Sequence, residues 1–387
     1  MTDATTSSPT DISAEELKRL VDSGEPFHLV DTRDVKSFNE WRLAGATHFF
    51  YKPDRAFDPD TFRSETGLTP EDPVVTICAK GLSSGALAEE LVDAGYEDVR
   101  HVNDGMRGWS AVYDTVNIDT DGSVEIVQLQ RRAKGCLGYL VADPETGAAA
   151  AVDPTRHVGT VREAAAERGF EIERVFDTHI HADHLSGGRR LADALGVPYH
   201  LGERVAERDP DFEYRPLRRN EVLAVGDVDV KALFTPGHTS GMVSYLVGEE
   251  ALLTGDTVFI DGVGRTELQF GDEDAASGAA LLYESLQGTV LAEPDPVTVL
   301  PGHFSVSNDG AYGAAPGSEV STTVRALRTE LSILHDDRGA FSEHVVESAP
   351  EKPPNYERII AINRGRSAAT EDEAIELELG PNRCAAE

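Results

Sequence analysis

Thr178-His179-Ile180-His181-Ala182-Asp183-His184 sets three imidazoles and a carboxylate into one loop, directly after the apolar stretch Val175-Phe176. A lone His pair carries little meaning, because imidazoles settle in cores and on surfaces without binding anything. Four such donors in one loop are different: burying them together without a cation is costly, so the loop reads as a metal site. The same design recurs outward along the chain. Pro236-Gly237-His238 follows the strand-like Lys231 to Thr235, Gly255-Asp256 follows Ala251 to Thr254, and Pro301-Gly302-His303 follows Val297 to Leu300. Each places one ligand-capable side chain just past a strand end, with Gly permitting a sharp turn. Several loops can therefore converge on one centre.

A second kind of chemistry is written upstream. Val74 to Ile77 reads as a buried strand ending at Cys78, and Ser84 to Ala94 as a helix closed by Gly95. Cys78-Ala79-Lys80-Gly81-Leu82-Ser83-Ser84 thus holds a thiol on a strand-to-helix turn. Backbone N–H groups and the helix N-terminus favour an anion there and lower a thiol pKa. Cys136, in Gly135-Cys136-Leu137, reads as a packed residue at a strand start, and Cys384 lies in the last residues with no role assigned.

Between and around these motifs the chain divides in two. Ser13 and Glu16 form a capping-box pattern for a helix stopping near Gly24, and strand signals at Phe27 to Val30, Val74 to Ile77 and Val99 to Val102 alternate with helical ones. That order predicts a parallel sheet with flanking helices over residues 12–113. Residues 1–11 read as a disordered tail, 114–124 as a linker, 125–366 as a second domain mixing hairpins and helices, and 367–387 as a solvated acidic tail.

Composition narrows the function. The 387 residues carry 69 Asp and Glu against 35 Lys and Arg, a formal net charge of -34 that opposes nucleic acid as a partner. Acidic residues are spread along the chain and Lys is scarce beside Arg, the pattern of a surface adapted to high salt. Three scattered cysteines make neither a disulfide framework nor a thiolate zinc site and point to a reducing cytoplasm. Neither a signal-peptide pattern nor a membrane-length apolar run is read in the sequence. A homodimer is compatible with these features.

The Cys78 segment resembles the rhodanese active loop, and the flanks resemble the same family: Asp31-Thr32-Arg33 after the first strand, Gly45-Ala46, and the closing Gly105-Met106-Arg107-Gly108-Trp109. Trp41-Arg42-Leu43 replaces the common Gly-His-Ile, and Ala79 stands where many members carry Arg. The resemblance implies an α/β rhodanese-like domain in which Cys78 is the persulfide-forming nucleophile and Lys80, Gly81, Ser83 and Ser84 belong to its active loop.

The histidine loop and the later His238, Asp256 and His303 resemble the metallo-β-lactamase superfamily, which implies an αββα sandwich over about 125–366. Within it the nearest resemblance is to persulfide dioxygenases, through Gly264-Arg265-Thr266-Glu267-Leu268-Gln269, Pro301-Gly302-His303-Phe304, and Lys352-Pro353-Pro354-Asn355 with Asn363-Arg364-Gly365. This resemblance implies one Fe(II) on His179, His238 and Asp256. Two imidazoles and a carboxylate leave positions open for a persulfide thiolate and O2 together. His181, Asp183, His184 and His303 then orient ligands or make a second metal position, and Arg265 fixes the carboxylate of the thiol carrier. The expected substrates are a small thiol persulfide and O2, with thiosulfate or sulfite at the sulfur-transfer site. Two alternatives stand beside it: a thioester hydrolase resembling glyoxalase II with two Zn(II) ions, and a sulfur carrier or sensor whose metal site is silent.

Overall fold

Ser13 opens the first helix, Ala14–Ser23, with the reciprocal bonds its sequence predicts: its hydroxyl accepts the Glu16 N–H at 3.2 Å, and the Glu16 carboxylate accepts the Ser13 N–H at 2.8 Å. The computed structural model describes residues 8–120, 122–382 and 385–386. Residues 1–7 of the expected N-terminal tail, and Cys384, lie outside them. Helix Ala14–Ser23 packs on a five-stranded parallel sheet in the order Thr10–Ile12, Val99–Val102, Val74–Ile77, His28–Asp31, Thr47–His48. All four residues of Val74–Ile77 are buried, as a strand covered on both faces must be. Val75 and Ile77 pack with Leu17 and Trp109 on one face, and Val74 with Phe62 and Leu87 on the other.

The second domain is four layers. A seven-stranded sheet runs Arg215–Leu217, Tyr199–Gly202, Glu171–Phe176, Ala148–Val152, Leu137–Ala142, Glu125–Arg131, Tyr113–Ile118. A six-stranded sheet runs Val222–Val225, Val228–Phe234, Val243–Val247, Ala251–Gly255, Thr298–Pro301, Thr322–Thr323. Their inner faces share one core, in which Ile126, Val141 and Phe176 meet Val243, Tyr245 and Leu253. Helices Val158–Arg168 and Gly188–Leu195 cover one outer face, and the long helix Glu267–Gly288 the other. The αββα sandwich expected from the sequence is present. Among the described residues no helix is long and apolar enough to cross a membrane.

Three segments depart from the sequence expectation. Thr10–Ile12, which begins inside the stretch 1–11 read as a disordered tail, pairs with Val99–Val102, and the Asp11 carboxylate bonds His101 at 2.9 Å. Three residues are too few to show alternation. Tyr113–Ile118, read mostly as linker, pairs along its whole length with Glu125–Arg131. It is an edge strand, and edges tolerate the polar residues that made it look like a connector. The C-terminal region read as a solvated tail forms helix Glu371–Leu377, then buries Glu378 against Arg131 and Arg156.

That segment and a cluster of charges fix one domain on the other. Arg132 donates to Asp114 and to Asp22 of the first helix, and Lys18 of that helix pairs with Asp114 at 2.9 Å.

Candidate metal centre and thiol loop

Asp153, just past Ala148–Val152 and held at φ 47°, anchors the histidine loop. Its carboxylate accepts the Thr178 N–H at 2.7 Å and the Thr178 hydroxyl at 2.8 Å. With that hydroxyl proton committed, the Thr178 oxygen accepts from His179 Nδ1 at 2.9 Å, which leaves the lone pair on His179 Nε2. His238 is set in the same way, its Nδ1 donating to the Arg265 carbonyl at 2.6 Å. Gly237 makes this turn possible, since a Cβ there would lie 2.4 Å from the Leu282 backbone. Asp256 follows Gly255, which sits at φ 49° against Thr178.

The three ligand atoms converge. Asp256 Oδ2 lies 3.8 Å from His179 Nε2 and 3.6 Å from His238 Nε2, and all three side chains are buried. Among the described residues His179 Nε2 and Asp256 Oδ2 have no hydrogen-bond partner. Buried polar atoms left without partners are costly, and a cation between them satisfies both. Burial first, then the neighbouring His181 and His238, pushes the His179 pKa well below its ordinary value, so the ring is neutral and ready to ligate. Burial likewise lowers His238, against the pull of Asp256. These three residues fit one metal ion.

The other four sequence candidates gather beside this trio and bond to one another in part; among the described residues His181 Nδ1 and His184 Nε2 have no partner, and Asp183, His184 and His303 lie with Cys136 close enough to hold a second ion. His303 donates from Nδ1 to Asp256 at 2.7 Å and from Nε2 to Asp183 at 2.9 Å. Burial opposes its charge, but the two carboxylates prevail and hold its pKa well above the ordinary value. Asp183 also pairs with His184 Nδ1 at 3.1 Å, and His181 Nε2 pairs with Asp153 at 3.2 Å. Asn363 donates to the carbonyls of His181 at 2.9 Å and His184 at 2.8 Å, clamping the loop from the C-terminal side.

Cys136 belongs to this network. Its thiol lies 3.4 Å from Asp183 and 3.6 Å from His184, and its backbone bridges to His303. Asp153, Thr178 and Cys136 were not among the sequence candidates. An Asp and a Thr flanking a strand end carry no signal of their own, and Cys136 meets His303 only because the two sheets pack together. Arg265 lies beside the centre with its side chain already paired. Its buried guanidinium, expected to fix a carrier carboxylate, bonds Glu267 and the carbonyls of Pro350 at 2.7 Å and Glu351 at 3.3 Å, and so braces the fold. It serves the centre through its own carbonyl, which orients His238.

Cys78 stands at the end of Val74–Ile77, four per cent exposed, with the Ser84 hydroxyl donating to its sulfur at 3.3 Å. Burial raises a thiol pKa, but hydrogen bonds from the side chains of Ser83 and Ser84 and the backbone of Ser84 and Lys80 outweigh it and lower Cys78 below its ordinary value. Gly81 turns the loop at φ 81°, where any Cβ would strike the Asn103 carbonyl. Thr32 shares a hydrogen bond with Ser83 at 2.8 Å, tying the loop to the end of strand His28–Asp31. Lys80 and Arg107 face Glu376 of the C-terminal helix, and Arg107 also meets Asp372.

Residues 13–112 match the Rhodanese-like domain family, and residues 132–303 match the Metallo-beta-lactamase superfamily. A hydroxyacylglutathione hydrolase of Polaromonas sp. is 35% identical over 180 residues, covering 45% of this chain and 64% of that protein. The chain thus spans just under two thirds of that relative. An uncharacterized protein of Mycobacterium leprae is 33% identical over 201 residues, covering 46% of this chain and 89% of its own. Among solved structures, ETHE1 from Myxococcus xanthus superposes with a TM-score of 0.52 at 25% identity, over 62% of this chain and 98% of that one.

Proposed function

Because this chain belongs to the metallo-beta-lactamase superfamily and carries a rhodanese-like domain ahead of its metal-binding sandwich, we propose that it oxidises a small thiol persulfide. The products are sulfite and free thiol, the oxidant is O2, and the site is one iron ion held by His179, His238 and Asp256. Cys78 carries sulfane sulfur into the same sequence of reactions.

The observation that supports this reading is the division of labour within the buried cluster. His179 Nε2, His238 Nε2 and Asp256 Oδ2 face one another, whereas His303 has both nitrogens committed to carboxylates. A second ion at Asp183 and His303 must displace the protons that join them. Two imidazoles and one carboxylate suit Fe(II), which supplies an electron to dioxygen where Zn(II) cannot. The chain's own part is positional. Thr178 and the Arg265 carbonyl fix the two imidazole tautomers, Asp256 contributes its free oxygen, and His303 holds the other. At the thiol loop, Ser83 and Ser84 stabilise the Cys78 thiolate that takes up sulfane sulfur.

A second reading, a thioester hydrolase with two zinc ions, is favoured by the hydroxyacylglutathione hydrolase relative and by the presence of all seven ligand-capable residues. Protein purified without oxygen separates the two. About one iron per chain, with O2 uptake on glutathione persulfide matched by sulfite, supports the oxidation. Two zinc ions, no O2 uptake and hydrolysis of a glutathione thioester overturn it.

A further inference from the structure

Two cavities abut between the thiol loop and the metal centre. The larger, about 930 Å³, reaches Ala79 and Lys80 beside Cys78 on one side and Glu376 and Lys352 on the other. The smaller, about 360 Å³, reaches His303 and Phe259. His303 bonds directly to Asp256, so this cavity ends one side chain from the metal position. Glu351 and Pro381 line both spaces. The wall that divides them is built from the C-terminal region, which packs on both domains through Arg107 to Glu376 and Arg156 to Glu378. A volume of this size matches that of ordinary small-molecule sites.

We propose that the two adjoining cavities bind a small thiol, which takes sulfane sulfur from Cys78 and delivers it across their shared wall at Glu351 and Pro381 to the metal centre without release to bulk solvent. This deepens the persulfide-oxidation reading and rests on it. The larger cavity admits both partners of such a transfer, because it opens beside the loop that carries Cys78. The carboxylates of Glu40, Glu351 and Glu376 stand among its cations, so a dianion such as thiosulfate gains little by lingering there, whereas a thiol bearing charges of both signs finds partners.

The transfer is neutral in electrons. The thiolate sulfur of the small molecule attacks the outer sulfur of the protonated Cys78 persulfide. A new S–S bond forms, the bond between Cys78 Sγ and the outer sulfur breaks, and its electron pair returns to Cys78 as thiolate. The proton leaves with the new persulfide. Ser83 and Ser84, which donate to Cys78 sulfur, stabilise the leaving thiolate.

The test uses the full chain, with thiosulfate as donor and glutathione as the small thiol. Cys78→Ser and Asp256→Ala each remove one of the two activities. Mixing them in equal amounts leaves only transfer through bulk solvent. The mixture is expected to consume O2 from thiosulfate at least about ten-fold more slowly than the same concentration of wild type, because internal transfer raises the effective concentration of persulfide. A mixture as fast as wild type overturns the proposal. In Pro381→Trp, glutathione persulfide trapped in bulk by an alkylating reagent is expected to rise by about ten-fold relative to sulfur transfer to cyanide measured on the same variant. Unchanged trapping in that variant, with both separate activities intact, also overturns it. If Pro381→Trp fails to fold, both separate activities fall together and the mixing experiment decides. Wild type that takes up no O2 on preformed glutathione persulfide instead sinks the underlying reading, a different result from bulk transfer.

Discussion

Cys78 and His179 both lie just past the end of a parallel strand of a sheet, yet they are held in opposite ways. Nearly everything that acts on Cys78 comes from the following turn: Lys80, Gly81, Ser83 and Ser84. His179 is set by Thr178 and Asp153, its neighbour His238 by the Arg265 carbonyl, and their carboxylate partner by His303. One site is a local turn and the other an assembly of loops from two sheets. Damage to the thiol loop should therefore stay local, whereas the metal centre should feel changes made far away in sequence.

The sharpest break in that comparison is Asp256→Ala. It removes the only carboxylate of the trio, so metal content and O2 uptake are expected to fall by about 10³-fold or more, with sulfur transfer at Cys78 kept within about two-fold. Cys78→Ser is expected to do the reverse, abolishing sulfur transfer while O2 uptake on preformed persulfide persists. Loss of both activities in either folded variant would show that the sites are not separable.

Glu378 probes the joint between the regions. Burial alone would raise its carboxyl, but Arg131 and Arg156 outweigh burial and bring it down to about 2, from an ordinary 4.5. A depressed folded-state pKa gives stability that is present above 4.5 and lost as pH falls through about 2. The difference amounts to about 3 kcal/mol, or a few hundred-fold in the folding equilibrium. Glu378 also accepts the Leu185 N–H at 2.6 Å, beside the histidine loop. Melting midpoints measured from pH 6 to pH 2 should fall steeply for wild type. For Glu378→Gln the midpoint at neutral pH should already be lower, with a flatter dependence on acid.

What was legible in the sequence follows the same division. His179, His238 and Asp256 could be found because each sits one turn beyond an apolar strand, so local pattern and chemistry coincide. Lys80 to Ser84 could be read for the same reason. Cys136 and Asp153 could not, and Asn363, quoted only as part of a C-terminal pattern, showed no role there, since each acquires its meaning from a partner brought near only by packing. The pairing of Arg265 was not read either, although its counter-ion Glu267 stands only two residues on. Thr10–Ile12 and Tyr113–Ile118 escaped as strands because one is very short and the other polar.

Thr178→Val measures how far the metal centre depends on such indirect support. The change keeps the shape of the side chain but removes the hydroxyl that joins Asp153 to His179 Nδ1. The imidazole then loses its fixed tautomer, and metal affinity is expected to drop by about 10- to 100-fold. Sulfur transfer should not move. Metal titration of the stripped protein checks it, and an unchanged affinity would mean that packing alone orients His179.

Glu376→Gln gives the smallest effect and bears on the thiol loop. Glu376 pairs with both Lys80 and Arg107, and it is half exposed. Removing its charge leaves those cations less neutralised beside Cys78, so thiosulfate should bind more tightly. Exposed ion pairs are worth at most about 1 kcal/mol, which limits the fall in KM for thiosulfate to about five-fold. Screening supplies the control, because the gain should shrink as salt rises from low to molar concentration. O2 uptake on preformed persulfide should be untouched. A KM that stays constant at low salt would mean that Lys80 and Arg107 do not meet the sulfur donor, and that the loop recognises it through Ser83, Ser84 and backbone alone.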